Sequence, residues 1–182
     1  MPRALLVLIA VFMMTFGPPS AAQQTKTASG LAVGEITPSF PVLDVTGPHK
    51  GQSVCYVCES QGAPVVFAFF RQTGIETASL VKKLNELARQ NQDIRVVAVV
   101  IEGQESRPWL ESLAQEKGIT IPLTVFRNGK DDIAMKVYKL NANASNTILV
   151  SAKRKVVGNL VNVNAENFKT VTNGVSKVIR KR

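Results

Sequence analysis

The chain has 182 residues, of which 45% are hydrophobic, which suits one well-packed domain better than two. Its two cysteines allow at most one intrachain disulfide, so a small disulfide-rich scaffold is excluded. The formal net charge is +9, but aromatic residues make up only 6% and do not interleave with the basic clusters at 153–155 and 177–182, so we expect no nucleic-acid partner.

The first 22 residues are typical of a secretory signal peptide. Arg3 precedes an apolar run over residues 4–16, a Gly-Pro-Pro break follows at 17–19, and small residues at 20–22 supply the cleavage positions. A retained membrane anchor is the alternative, but the run is shorter than the roughly 20 residues that a membrane-spanning helix needs.

We therefore expect cleavage near Gln23 and an exported protein, periplasmic or extracellular, without stable membrane insertion. The polar residues 23–30 predict a flexible leader. Residues 31–182 are then expected to form a single domain.

The ordered chain is predicted to open with a β-hairpin. Residues 40–45 and 53–57 have the character of short strands, and the Gly and Pro residues at 46–51 suit the turn between them. The next run, residues 65–70, is apolar on both faces, as expected for a central strand of a mostly parallel sheet.

A helix and a second buried strand follow. Leucines at spacings of three and four predict an amphipathic helix over 76–90, and residues 94–101 are again fully apolar. Strand, helix and strand in this order imply a right-handed parallel crossover. Ser106 is expected to cap the next helix, which Gly118 ends.

The remaining pattern closes an α/β domain. It predicts a strand over 119–126, a short helix that begins at Asp131, and an antiparallel hairpin of strands 147–150 and 155–160. Asn164 is expected to cap a last amphipathic helix.

Three phrases of the sequence are similar to the redoxin and alkyl hydroperoxide reductase–thiol-specific antioxidant families of the thioredoxin-like superfamily. They are the opening GEITPSFPVLDVTG, the strand PVVFAFF, and the closing section from IPLTVF to VVGNLV. The resemblance spans roughly residues 31–163. It implies a thioredoxin-like three-layer α/β fold with a central mixed sheet and an N-terminal β-hairpin extension.

The same resemblance exposes departures from those families, whose reactive cysteines lie between the first central strand and its helix. Here Gly74, Ile75, Glu76 and Thr77 occupy that position, and no peroxidatic cysteine is present in the loop. Peroxidase activity by the usual route is therefore not expected. The family's cis-proline, which faces the dithiol, is matched by Ser145.

The two cysteines instead form a Cys-x-x-Cys motif, Cys55 and Cys58, at the end of the predicted hairpin. In a fully extended strand their α-carbons would stand about 10 Å apart, which is too far for a disulfide. A turn at Tyr56 and Val57 would let the sulfurs meet. The catalytic hypothesis, a thiol-disulfide oxidoreductase acting on protein thiols or disulfides, depends on that turn.

In that hypothesis Cys55 is the nucleophile, by analogy with the order in thioredoxins. A structural clip is an equally favoured alternative, although closing so short a loop stabilises the fold by about 2 kcal/mol or less. We expect no cofactor.

A non-catalytic binding module is the competing hypothesis, with copper bound through Cys55, Cys58 and His49. These are the only His and Cys side chains in the chain, and copper(I) accepts few, soft ligands. The Sco-type copper chaperones, which share the thioredoxin fold, also use a cysteine pair and a histidine. In those proteins the histidine lies far downstream of the cysteines, whereas His49 precedes them.

Overall fold

The computed structural model describes residues 27–179; the predicted signal peptide, and the first half of the predicted leader, lie outside this range. Seven strands form one sheet: β1 Val42–Asp44, β2 Ser53–Val54, β3 Val65–Phe70, β4 Arg95–Val100, β5 Leu123–Val125, β6 Asn146–Ala152 and β7 Lys155–Val161. Five α-helices accompany them: α1 Tyr56–Glu59, α2 Ile75–Gln90, α3 Arg107–Lys117, α4 Ile133–Val137 and α5 Lys169–Ile179.

The sheet is mixed, with the strand order β2-β1-β5-β4-β3-β6-β7. The β3–β4 and β4–β5 pairs are parallel, and the other neighbours are antiparallel. β3 lies between β4 and β6, and all six of its residues are buried, which explains why its sequence is apolar on both faces. The predicted α/β class, mixed sheet and N-terminal hairpin are confirmed.

Each face of the sheet carries its own apolar layer. On one face the sheet packs against α2, α3 and α5, whose buried side chains include Leu80, Leu84, Leu110, Val171 and Val175. On the other face it packs against α1, α4 and the chain before β1, which bury Leu31, Phe40, Tyr56, Val57 and Tyr138. The alternating side chains of β3 divide between these layers.

Three predicted strands are much shorter than expected. The strand predicted over 40–45 covers only Val42–Asp44. The strand predicted over 53–57 ends at Val54, because α1 begins at Tyr56. The strand predicted over 119–126 begins only at Leu123; the preceding residue, Pro122, has no N–H to donate to a ladder.

Two predicted helix caps also differ from expectation. Ser106 has helical backbone angles and makes no capping hydrogen bond; its hydroxyl donates to Glu102 at 3.4 Å. A side-chain cap needs an extended backbone at that residue, which the preceding 3-10 turn, Gln104–Ser106, prevents. Asn164 caps the turn before α5, accepting from the N–H groups of Glu166 and Asn167.

The packed part of the chain begins before Leu31. The Ser29 hydroxyl lies 2.6 Å from that of Thr147, and the Gly30 N–H donates to the Lys139 carbonyl at 2.9 Å. Within residues 27–179 there is no helix with the length and apolar character needed to cross a bilayer.

The buried side chain of Asn85 fixes the loop between α3 and β5. Its Oδ1 accepts from the N–H and hydroxyl of Thr120 and from the N–H of Ile121. We expect Asn85→Ala to lower the free energy of unfolding by about 2–3 kcal/mol, because buried donors lose their acceptor. Denaturant unfolding measures this, with the exposed Glu86→Ala on the same helix as a control that changes stability by less than about 0.5 kcal/mol. Equal effects of the two substitutions would contradict the assignment.

Candidate functional site

The two cysteines are joined by a disulfide at the junction of β2 and α1. The chain turns at Tyr56, so the Cys55 and Cys58 α-carbons stand 5.3 Å apart and their sulfurs are bonded at 2.09 Å. Cys55 is the last extended residue, and its Sγ accepts from the Cys58 N–H at 3.2 Å. The turn on which the thiol chemistry depends is therefore present.

The two sulfur-bearing residues differ in exposure. Cys58 is exposed, whereas Cys55 is half-buried and packs against the apolar layer beneath α1. The intervening Tyr56 and Val57 are buried and anchor the turn in that layer. A partner molecule thus has freer access to Cys58 than to Cys55.

The turn is held by a buried carboxylate. Asp44, at the end of β1, is fully buried and accepts three hydrogen bonds: from the Gly47 N–H at 2.7 Å, the His49 N–H at 2.9 Å and the Tyr56 hydroxyl at 2.7 Å. A Cβ on Gly47 would come within 2.6 Å of Asp44 Oδ2, so glycine is required by this close approach. Asp44 thereby links the hairpin loop to the first residue of α1.

The Tyr56 phenol stays protonated in this environment. Burial raises the pKa of Tyr56 well above its usual range, and the hydrogen bond to Asp44 raises it further. Tyr56 therefore acts as a permanent hydrogen-bond donor beside the disulfide and is not a proton-transfer group at neutral pH.

A second group of polar side chains lies directly after Cys58. The Glu59 carboxylate pairs with His49 Nε2 at 2.7 Å and with the Arg95 guanidinium at 2.8 Å, and that guanidinium lies 5.6 Å from the Tyr56 ring centroid. About a third of the Glu59 side chain is exposed, so the two pairs add little stability. They nevertheless attach α1 to Arg95, the first residue of β4.

The site therefore includes residues that the sequence did not single out. Sequence reasoning missed Arg95 because it is the first residue of an otherwise apolar strand and lies 36 positions beyond Glu59 in the chain. Asp44 left a clearer signal, because it ends the first strand in the phrase that carries the family resemblance. His49, considered from the sequence as a metal ligand, instead contacts Glu59.

The loop after β3, where the families that the sequence resembles carry their thiols, lies at the end of that strand away from Cys55 and Cys58. The chain leaves α1 and enters β3 at Val65, and a strand of six residues spans about 20 Å. At the far end Gly74 precedes α2 and Ile75 is 91% exposed. Ser145 lies beside the start of this loop, since its carbonyl accepts from the Arg71 N–H at 3.0 Å.

A metal site does not fit the described residues. Residues 27–179 contain no group of three or more His, Cys, Asp and Glu side chains placed to hold a metal ion. The two sulfurs are bonded to each other and His49 Nε2 is paired with Glu59, so the three proposed copper ligands have other partners in this disulfide form.

Comparison with known proteins gives structural similarity without close sequence relatives. No family model and no curated protein matches the chain. A thiol:disulfide interchange protein DsbE from Chlorobium tepidum matches with a TM-score of 0.63 and 14% identity, covering 81% of this chain and 97% of its own. A mutant of PrxQ from Xylella fastidiosa matches with a TM-score of 0.64 and 14% identity, covering 84% and 99%.

A third structure, the thioredoxin domain of a thiol-disulfide oxidoreductase from Bacteroides vulgatus, matches with a TM-score of 0.60 and 15% identity, covering 79% and 97%. Identities this low establish the fold alone. The predicted thioredoxin-like fold is therefore confirmed, and it carries a disulfide-bonded Cys-x-x-Cys pair.

The hydrogen bond from Tyr56 to Asp44 can be tested against a matched tyrosine. Tyr56→Phe removes a donor to a buried carboxylate, and we expect a loss of about 1.5–3 kcal/mol in the free energy of unfolding. Tyr138→Phe removes a donor to the neutral Pro38 carbonyl and should cost only about 0.5–1.5 kcal/mol. Denaturant unfolding of the oxidised proteins measures both losses. A larger loss for Tyr138→Phe would contradict the role assigned to Asp44.

Proposed function

We propose that this protein is an exported thiol-disulfide oxidoreductase whose redox pair is Cys55 and Cys58. The observation that carries the proposal is the closed disulfide between an exposed residue, Cys58, and a half-buried residue, Cys55, whose Sγ already accepts an N–H hydrogen bond. The similarity in fold to a thiol:disulfide interchange protein and to a thiol-disulfide oxidoreductase supports the same chemistry.

Exchange begins at Cys58, the exposed residue of the pair. A thiolate of a dithiol partner attacks Cys58 Sγ, forming a partner–Cys58 disulfide and breaking the Cys55–Cys58 bond. Cys55 leaves as a thiolate with the bonding electron pair. The Cys58 N–H, 3.2 Å from Cys55 Sγ in the disulfide, favours that thiolate because it donates to the developing charge.

The second step completes a two-electron transfer. The partner's other thiolate attacks the partner sulfur of the mixed disulfide and releases Cys58 as a thiolate. The partner is oxidised to a disulfide, and its two protons are taken up, directly or through water, by Cys55 and Cys58. The reverse sequence, with Cys58 attacking a partner disulfide and Cys55 resolving, reduces that disulfide.

These roles reverse the assignment made by analogy, in which Cys55 attacks. In this fold the motif follows β2 instead of β3, so the exposure of the two residues is a better guide than their order. We also propose that this pair takes the place of the cysteines usual in the redoxin-type families. In this chain the loop that would carry those cysteines holds residues 74–77 instead.

Export is part of the proposal and rests on the sequence. A signal peptide over 1–22 would direct the protein to a periplasmic or extracellular compartment. The mature chain would then consist of a leader over 23–30, whose last two residues pack on the domain, and the domain over 31–182. Disulfides form and persist there, whereas cytosolic thiols are kept reduced.

Thiol counts at defined redox potentials provide the decisive measurement. We expect the protein to show two titratable thiols after equilibration in a reducing thiol buffer and none in an oxidising one, in a reversible two-electron transition. The Cys55→Ser/Cys58→Ser double variant is the blank. If the disulfide of the native protein fails to exchange with any partner thiol, it is a structural clip. Two permanently free, unreactive thiols would refute the oxidoreductase.

Single-cysteine variants distinguish the two sulfurs. Cys55→Ser leaves the exposed thiol of Cys58, and we expect it to form mixed disulfides with a cystine-containing peptide at least about tenfold faster than Cys58→Ser does, because rates follow access as well as thiolate character. Mass spectrometry of quenched samples follows both adducts. Faster reaction by Cys58→Ser would restore Cys55 as the nucleophile.

A further inference from the structure

An open groove of about 1280 Å³ includes Ser60, two residues after Cys58, in its lining. It is bordered by residues 60–64, which follow α1, by the β6–β7 hairpin and by α5. The Gln61 N–H donates to the Cys58 carbonyl at 3.3 Å, so one wall of the groove is attached directly to the exposed cysteine. The groove lining therefore reaches to within two positions of the proposed redox pair in the chain.

The groove is basic. Lys153, Lys155 and Lys177 line it, and no Asp or Glu is among its described lining residues. None of these three lysines forms an ion pair with another residue of the described chain, 27–179. Three uncompensated cations at the edge of a concave surface favour an anionic occupant.

Apolar surface and a strand edge complete the groove. Val33 is 66% exposed and Val157 is 44% exposed, and both belong to the lining. β7 is the outermost strand on this side of the sheet. The chain before β1 contacts it through the backbone of Val156, a bridge at Lys155 and the side chain of Asn159. An edge strand bordered by apolar side chains suits an extended polypeptide better than a compact anion.

We propose that the groove binds an acidic, extended segment of the partner protein and thereby presents the partner's cysteine to Cys58. Charge complementarity with the three lysines supplies the attraction, and the apolar lining and the edge of β7 hold the backbone. The docking surface rests on the proposed function for its role in exchange, but binding by the groove can be measured without any exchange.

The test uses the full chain as recovered from expressing cells, in its disulfide form. Its substrate is a dithiol peptide whose two cysteines are flanked by glutamates, compared with the same peptide carrying glutamines. At low ionic strength we expect the acidic peptide to be oxidised about tenfold faster. Added salt at about 0.5 M should remove the difference, because it screens exposed charges.

Charge-reversal variants locate the effect. Lys155→Glu/Lys177→Glu changes two exposed groove residues and should abolish the preference for the acidic peptide. Lys82→Glu/Lys130→Glu makes the same change in net charge at exposed residues outside the groove and should retain the preference. Reduction by uncharged dithiothreitol should proceed at the same rate in all three proteins.

A second measurement separates this proposal from the oxidoreductase itself. The acidic peptide with both cysteines replaced by serine should bind to the unaltered protein in a fluorescence-anisotropy titration, and at least about tenfold more weakly to Lys155→Glu/Lys177→Glu. If dithiothreitol and all peptides fail to reduce the disulfide while this binding persists, the oxidoreductase is refuted and the groove is supported.

Other outcomes overturn the groove proposal. Equal oxidation of the acidic and neutral peptides, with no binding of the serine peptide, would leave exchange intact and refute docking. A dimer that Lys155→Glu/Lys177→Glu dissociates, again without peptide binding, would show that a second copy of the chain occupies the groove. Sedimentation velocity of the same proteins detects that dimer.

Discussion

The buried Asp44 carboxylate is the contact on which the geometry of the disulfide depends. A fully buried carboxylate is costly unless its oxygens accept hydrogen bonds, and here two backbone N–H groups and the Tyr56 hydroxyl supply them. Two of those donors belong to the hairpin loop and the third belongs to α1. Satisfying one charge therefore fixes where the hairpin ends and where the helical turn begins, and so brings Cys55 and Cys58 together.

Next to that carboxylate, the residues that position the disulfide also belong to the hydrophobic core. Tyr56 and Val57 pack into the apolar layer beneath α1 while the cysteines on either side bond to each other. The neighbouring Glu59 contacts Arg95, at the start of β4. The sulfur pair thus lies near the beginning of the central parallel strands, whereas the loop before α2 lies at their other end.

Much of the fold could be predicted from the sequence, because many of its strands and helices have a recognisable local pattern of apolar residues. Apolar runs marked β3 and β4, and leucines at helical spacing marked α2. The end of β2 at Val54 and the start of β5 at Leu123 were harder to predict. A residue such as Cys55 has no strong preference between strand and turn, and the turn that follows it is decided by the burial of Tyr56 and its bond to Asp44.

The site was only partly predictable for the same reason. The motif itself was visible, but its geometry depends on contacts between distant positions, such as Glu59 with Arg95. The groove is still harder to foresee, since residues 60–64, β7 and α5 come from separate parts of the chain. The net charge of the sequence shows an excess of basic residues, but it does not show that three lysines border one surface.

The placement of Tyr56 and Val57 in the core has a thermodynamic consequence. Because the folded core holds the two thiols near each other, it raises their effective concentration relative to the unfolded chain, and by a closed thermodynamic cycle the disulfide stabilises the fold by the same free energy. A contribution of about 2 kcal/mol would correspond to roughly 40 mV for a two-electron couple. A substitution that destabilises the oxidised fold more than the reduced fold would then make this pair easier to reduce, so its reduction potential reports the difference in stability between the two forms.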